Sequence, residues 1–85
     1  MASNVSLTQA ATKHLDDLPS ALRPRVADAL RKLADDARPP KSRKLEGKMG
    51  YRLAVGDYRI LYLIDDRTKV ATVYKIGHRR EVYRD

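Results

Sequence analysis

Apolar residues change their spacing partway along the chain, and the change divides it into a helical first half and a β-rich second half. Val5 and Leu7 flank the polar Ser6, an alternation that predicts one brief strand. Thr8 follows as a helix N-cap, and Ala11, Leu15 and Leu18 recur on one helical face until Pro19 ends the run. Ser20 is placed to cap a second helix. Its stripe is Leu22, Val26, Ala29, Leu30, Leu33 and Ala37, and Pro39-Pro40 stops it. Pro24 lies in the first turn, where a missing N–H costs least, so the regular helix is expected to begin near it. The short Pro19-Ser20 connection predicts an antiparallel helical hairpin.

From Lys41 to Gly50 the chain is basic and rich in turn formers, and it reads as a loop. Beyond it the period falls to two. Tyr51, Leu53 and Val55 alternate with Arg52 and Ala54. Gly56-Asp57 then suits a tight hairpin turn, because glycine supplies the positive φ that such turns need. A second run covers Tyr58 to Ile64, Asp65-Asp66-Arg67-Thr68 makes another turn, and a third run covers Val70 to Ile76. Ile60 to Ile64 is apolar everywhere but Tyr62, which marks this strand as central. A short strand, two helices and a three-stranded antiparallel meander make an α+β fold, its helical stripe covering one face of the sheet. The other face is expected to be curved and partly open. The 85 residues, without repeats or low-complexity tracts, are read as one domain, 1–85.

Composition narrows the chemistry. There is no cysteine, hence no disulfide and no thiolate metal site. The two histidines, His14 and His78, have no carboxylate at ligand spacing, so neither a metal nor another cofactor is expected. His14 falls on the polar side of the first helix and reads as surface. No apolar run approaches the roughly 18 residues that span a bilayer. Met1-Ala2-Ser3-Asn4 shows no basic-then-apolar secretory signal. The expectation is a cytoplasmic protein without a membrane partner.

Charge adds a direction. Residues 1–40 carry six Lys and Arg against five acids, whereas residues 41–85 carry twelve against six. The basic excess sits in the β-rich half, together with all five tyrosines, and the chain has no Phe or Trp. Such a distribution is an electrostatic footprint for a polyanion or an acidic protein.

Two β motifs carry a resemblance. Gly50-Tyr51-Arg52-Leu53-Ala54-Val55-Gly56-Asp57-Tyr58-Arg59-Ile60-Leu61-Tyr62 resembles the central hairpin of the RelE/ParE toxin superfamily. Ile76-Gly77-His78-Arg79-Arg80-Glu81-Val82-Tyr83 resembles the family's ending, a strand followed by Gly-(Lys/His)-Arg and then Glu-Val-Tyr. Val5-Ser6-Leu7-Thr8, Leu15-Asp16-Asp17-Leu18-Pro19 and Lys44-Leu45-Glu46-Gly47 are similar to other family segments, so the likeness covers nearly the whole chain. It implies a RelE-like fold and a toxin of a type II toxin–antitoxin pair. RelE-like members cut mRNA on the ribosome without a metal and are neutralised by a cognate antitoxin. ParE-like members share the fold, poison DNA gyrase and lack the ribonuclease residues.

The resemblance also implies roles. Arg59 matches a basic position that contacts the scissile phosphate, and Arg79 matches the second catalytic arginine. Tyr83 matches a tyrosine that stacks on or orients the substrate nucleotide. Arg52 stands where related ribonucleases carry lysine, and Arg80 extends the basic ending. Lys41, Arg43, Lys44 and Lys48, in the basic loop, would anchor on ribosomal RNA phosphates. Ala54 departs from the pattern, since the best-known RelE sequences place there a lysine proposed as the general base. His78 is its natural substitute, because an unperturbed imidazole pKa of about 6.5 suits proton transfer near neutrality.

Overall fold

Thr8 caps the first helix as its position predicts, its side-chain oxygen accepting the Ala11 N–H at 3.1 Å. The computed structural model describes residues 4–83. Met1, Ala2 and Ser3, read above for a leader, lie outside them. The elements are β1 (Asn4–Leu7), α1 (Gln9–Asp16), α2 (Arg23–Asp35), β2 (Ser42–Lys44), β3 (Tyr51–Val55), β4 (Tyr58–Asp65) and β5 (Val70–His78). Ser20 does not cap α2. Leu22 stands at that N-cap with no side-chain bond, and Pro24 occupies the first turn, where its absent N–H is not missed.

One sheet holds all five strands in the order β1-β5-β4-β3-β2, so the apolar β4 is central. The expected meander β3-β4-β5 is its middle, antiparallel throughout. β1 adds to one edge, parallel to β5, and β2 adds to the other, antiparallel to β3. The segment read as a loop therefore contains a strand: Ser42, Arg43 and Lys44 pair with Leu53, Arg52 and Tyr51. Three polar residues on a sheet edge carry no alternation to betray them.

The helices cover one face. Ala11 of α1 and Val26 and Leu33 of α2 pack with Leu53, Val55, Ile60, Tyr62, Ala71, Val73 and Ile76. Each large aliphatic chain withdrawn from water there contributes about 1.5–3 kcal/mol. Tyr62 is wholly buried, and its hydroxyl donates to the Ala37 carbonyl at 2.8 Å, so the polar tip is satisfied where α2 gives way to the next loop. Burial pushes this phenol above its ordinary pKa. Tyr51 stacks on Tyr62 with ring centroids 5.8 Å apart, and Arg38 lies over the outer face of Tyr51. Arg38 also makes a two-pronged pair with Asp66, both bonds 3.1 Å.

The opposite face is less open than the sequence suggests. Leu45, Leu61 and Val82 form a second, smaller buried cluster, with Tyr74 against it. The chain after β5 turns back over the sheet, the Glu81 and Val82 N–H groups both donating to the His78 carbonyl. Val82 beside Gly77 closes this end. Leu61 pairs with Lys75 while Tyr62 pairs with Val73, leaving Tyr74 as the extra residue of a β-bulge. Just past it, the Ile76 N–H donates to Nδ1 of His14, which is half-buried between α1 and β5 and not a surface residue.

Candidate nucleic-acid interface

Strand alternation puts Leu53, Val55 and Ile60 under the helices, so Arg52, Ala54, Arg59 and Leu61 face the other way. Register then aligns them in two cross-sheet rows. One runs Arg43, Arg52, Leu61, Lys75, and the next runs Ala54, Arg59, Gly77. Arg43 and Arg52 are direct cross-strand neighbours of like charge, an arrangement that costs stability unless an anion lies between them. Arg43 is held from behind, Nη1 donating to the carbonyls of Pro40 and Ser42.

The Gly56-Asp57 turn gathers two of the expected site residues. Gly56 adopts a φ of +59°, which lets two residues join β3 to β4. Arg59 bends back on the turn, its Nη1 donating to the carbonyls of Gly56 and Tyr58, both at 2.9 Å. Among the described residues no carboxylate claims it, and its Nε–Nη2 edge, the edge that grips a phosphate in two-pronged fashion, makes no hydrogen bond. Arg79 reaches the same turn from β5. Its backbone N–H donates to the Asp57 carbonyl at 2.8 Å, and its Nε lies 3.9 Å from the Asp57 carboxylate. That pair is exposed and loose, so it orients Arg79 more than it stabilises the fold.

The other residues are placed differently. His78 pairs with Tyr58, their rings edge to face at 5.5 Å, while Arg59 pairs with Gly77 on the opposite side of the sheet. Nδ1 of His78 accepts the Arg80 N–H at 3.2 Å, so the neutral ring carries its proton on Nε2, as a donor. His78 and Arg59 are thus not brought to one point. Arg80 is exposed in the closing turn. Tyr83 is 40% exposed, because Val82, at 2%, takes the buried place beside it. Burial, and next the nearby Tyr83, raises the phenol of Tyr74 above its ordinary pKa.

The basic segment divides. Arg43 joins the cationic row, Lys44 pairs with Tyr51 on the helix side, Lys48 sits in the turn before β3, and Lys41 borders a cleft beside α2. Sequence reasoning missed Arg25, whose guanidinium comes within 3.4 Å of the point where a Gly56 side chain would begin. Its position one residue before Val26 gave no sign of this. His14, three residues after Ala11, lay within reach of the same helical stripe and could have been read as inward.

Residues 5–83 match the family described as ParE toxin of type II toxin-antitoxin system, parDE. The chain belongs to that family, within the RelE/ParE superfamily. No curated protein matches it. Among solved structures, RelE of the archaeal RelE–RelB complex from Pyrococcus horikoshii is similar at 28% identity and a TM-score of 0.80, over 96% of this chain and 100% of that one. The RelBE2 toxin–antitoxin complex from Mycobacterium tuberculosis gives 24% identity and a TM-score of 0.81, over 93% and 100% of the two chains. The intact RelBE complex of E. coli gives 24% and 0.78, over 91% and 96%. At that identity these two show the fold alone. Among the described residues no group of side chains could hold a metal, and no helix is long and apolar enough to cross a membrane.

Proposed function

We propose that the chain is the toxin of a type II pair that cleaves mRNA on translating ribosomes and is held in check by a cognate antitoxin in the cytoplasm. The observation that supports this most is the convergence of Arg59 and Arg79 on one two-residue turn, with the phosphate-gripping edge of Arg59 unused among the described residues. In metal-independent cleavage the ribose 2′-oxygen bonds to its own phosphorus, the bond to the 5′-oxygen breaks, and charge grows on the phosphate oxygens. The Arg59 guanidinium, held by the turn, and that of Arg79 beside it oppose that charge. The 2′-hydroxyl proton has to leave, and the 5′-oxygen has to gain one. Both protons are exchanged with the ribosome or solvent, because His78 stands on the helix face of the sheet, across from Arg59. Tyr83 orients the nucleotide, while Arg52, Arg43, Lys41, Lys44, Lys48 and Arg80 meet RNA phosphates. The antitoxin partner is proposed from the solved complexes in which RelE is bound to RelB.

One specific observation favours a second reading. Ala54 stands opposite Arg59 where a lysine base is expected, and the matching family is the one named for ParE. A ParE-like inhibitor of DNA gyrase needs no base there. Cleavage of mRNA on programmed ribosomes, run beside gyrase supercoiling, separates the two: cut message with normal supercoiling supports the ribonuclease, and the reverse result assigns the chain to the gyrase inhibitors.

A further inference from the structure

Arg25 of α2 meets the β3–β4 turn from the helix side. Both its terminal nitrogens lie 3.4 Å from the point where a Gly56 side chain would begin, so the bare glycine leaves the guanidinium room against the backbone. Among the described residues no carbonyl or carboxylate engages it. The acid three residues on, Asp28, is taken by Arg31 at 3.3 Å and by Lys32 at 3.4 Å. The place of Arg25 in the helix is unfavourable as well. The first turn of a helix favours acids, because the helix dipole is positive there, yet α2 begins with Arg23 and Arg25 and no acid. Arg59 and Arg79 reach the same two-residue turn from the sheet. Three guanidinium groups thus gather about one carboxylate, Asp57, which already lies 3.9 Å from Nε of Arg79. Such an excess of positive charge costs stability in the free chain and is offset when a polyanion binds.

We propose that Arg25 is a further RNA-binding residue, which holds a phosphate flanking the scissile linkage on the helix side of the turn. The inference rests on the ribonuclease reading for which linkage is cut, and on the turn alone for the anion. Arg59 leaves the sheet on the face away from the helices, whereas Arg25 rises from α2, which covers the other face. A strand with one phosphate on Arg59 therefore passes round the end of the hairpin, and a neighbouring phosphate comes to Arg25. The planar fork of a guanidinium suits that contact. RNA carries a charge at every nucleotide, so cations on the two sides of one turn each meet a phosphate whatever the sequence. An acidic protein segment does so only where its carboxylates happen to repeat at the same spacing. Arg25 would thus fix the register of the strand without reading its bases.

The test reads binding and cleavage separately. A 2′-O-methyl oligouridylate, which lacks the attacking hydroxyl, is titrated into the whole chain at several salt concentrations. Arg25→Gln removes the charge and keeps most of the side chain, while Arg23→Gln removes the same charge from the same helix turn. Loss of one phosphate contact should weaken binding about five- to tenfold at low salt. It should also lower the slope of log K against log salt by about 0.7, and Arg23→Gln should leave that slope unchanged. Both variants should melt like the wild type, since both side chains are exposed. Cleavage is then followed on programmed ribosomes, with messages that carry one neutral methylphosphonate in turn at each linkage flanking the cut. At one such linkage Arg25→Gln should cause no further loss, because the charge it meets is already gone. An unchanged slope, an equal effect of Arg23→Gln, or a loss that persists at every neutral linkage would overturn the proposal. So would a glutamate peptide of the same charge that binds as tightly and with the same dependence on Arg25. A lowered slope in Arg25→Gln beside a wild type that cuts no message would support the phosphate contact and count against the ribonuclease reading.

Discussion

Ala54 and Arg59 stand directly opposite each other across the β3–β4 ladder, on the face away from the helices. Side chains so paired have Cβ atoms about 4.5–5.5 Å apart, so a lysine at 54 would set an amine beside the guanidinium. Ala54→Lys is therefore expected to raise mRNA cleavage on programmed ribosomes. Arg59→Ala and Arg79→Ala should each lower it by about 10²–10³-fold, with unchanged circular dichroism. His78→Ala should change cleavage only a few-fold, because its ring lies across the sheet from Arg59. Undiminished cleavage in both arginine variants would remove the site from this turn.

A second expectation concerns acid. Hydrogen bonding to Arg38 holds the Asp66 carboxyl below its ordinary value of 3.8. A carboxyl whose pKa is depressed by folding adds stability above the unfolded value and loses it as pH falls through the folded one. Asp66→Asn should accordingly be less stable than the wild type near neutrality. The gap between their melting temperatures should close below about pH 4. A gap of constant size down to pH 2 would show that the ion pair is not its cause.

The central strand sets the third. Ile60 is wholly buried, so Ile60→Asp places an unpaired charge in the core and should unfold the chain at 25 °C, a loss above about 4 kcal/mol. Gly50→Ala is subtler. Gly50 holds a φ of +113°, and a Cβ there would lie 2.8 Å from the Tyr62 carbonyl oxygen, a backbone atom that cannot swing aside. A destabilisation of about 1–3 kcal/mol in urea melts is expected. A melt like that of the wild type from either variant would contradict the register.

How legible these elements were depended on whether apolar alternation announced them. β3 and β4 were readable because Tyr51, Leu53, Val55 and Ile60 had to be turned under the helices. Thr8 was readable as a cap because its hydroxyl serves a neighbour three residues on. β2 was not, since Ser42, Arg43 and Lys44 belong to the sheet through backbone bonds alone. Arg59 and Arg79 could be proposed from the resemblance, but their meeting at the Gly56-Asp57 turn depends on how far β5 runs beyond Ile76. The separation of His78 from Arg59 is a matter of parity along β5, which the bulge at Tyr74 resets and which no residue type signals.

Charge supplies the fourth. With twelve of the 18 Lys and Arg in residues 41–85, long-range attraction should speed encounter with an acidic antitoxin. Stopped-flow association rates should fall by at least about tenfold between low salt and 0.5 M salt, with a smaller change in dissociation. Rates independent of salt would mean that the basic half does not steer the encounter.

The position of β5 has a consequence for synthesis. The last strand to be translated is the one on which β1 pairs and α1 rests, and it carries the backbone up to Arg79. A nascent chain halted at Asp65 has the β3–β4 hairpin but no surface for its own N-terminus, and it lacks the second arginine. Such a chain should be digested by protease far faster than one completed to residue 83, measured on stalled ribosomes. Equal resistance of the two would show that the first half folds unaided. A protein proposed to disable ribosomes thus stays unarmed for as long as the ribosome is still building it, and the delay is written into strand order.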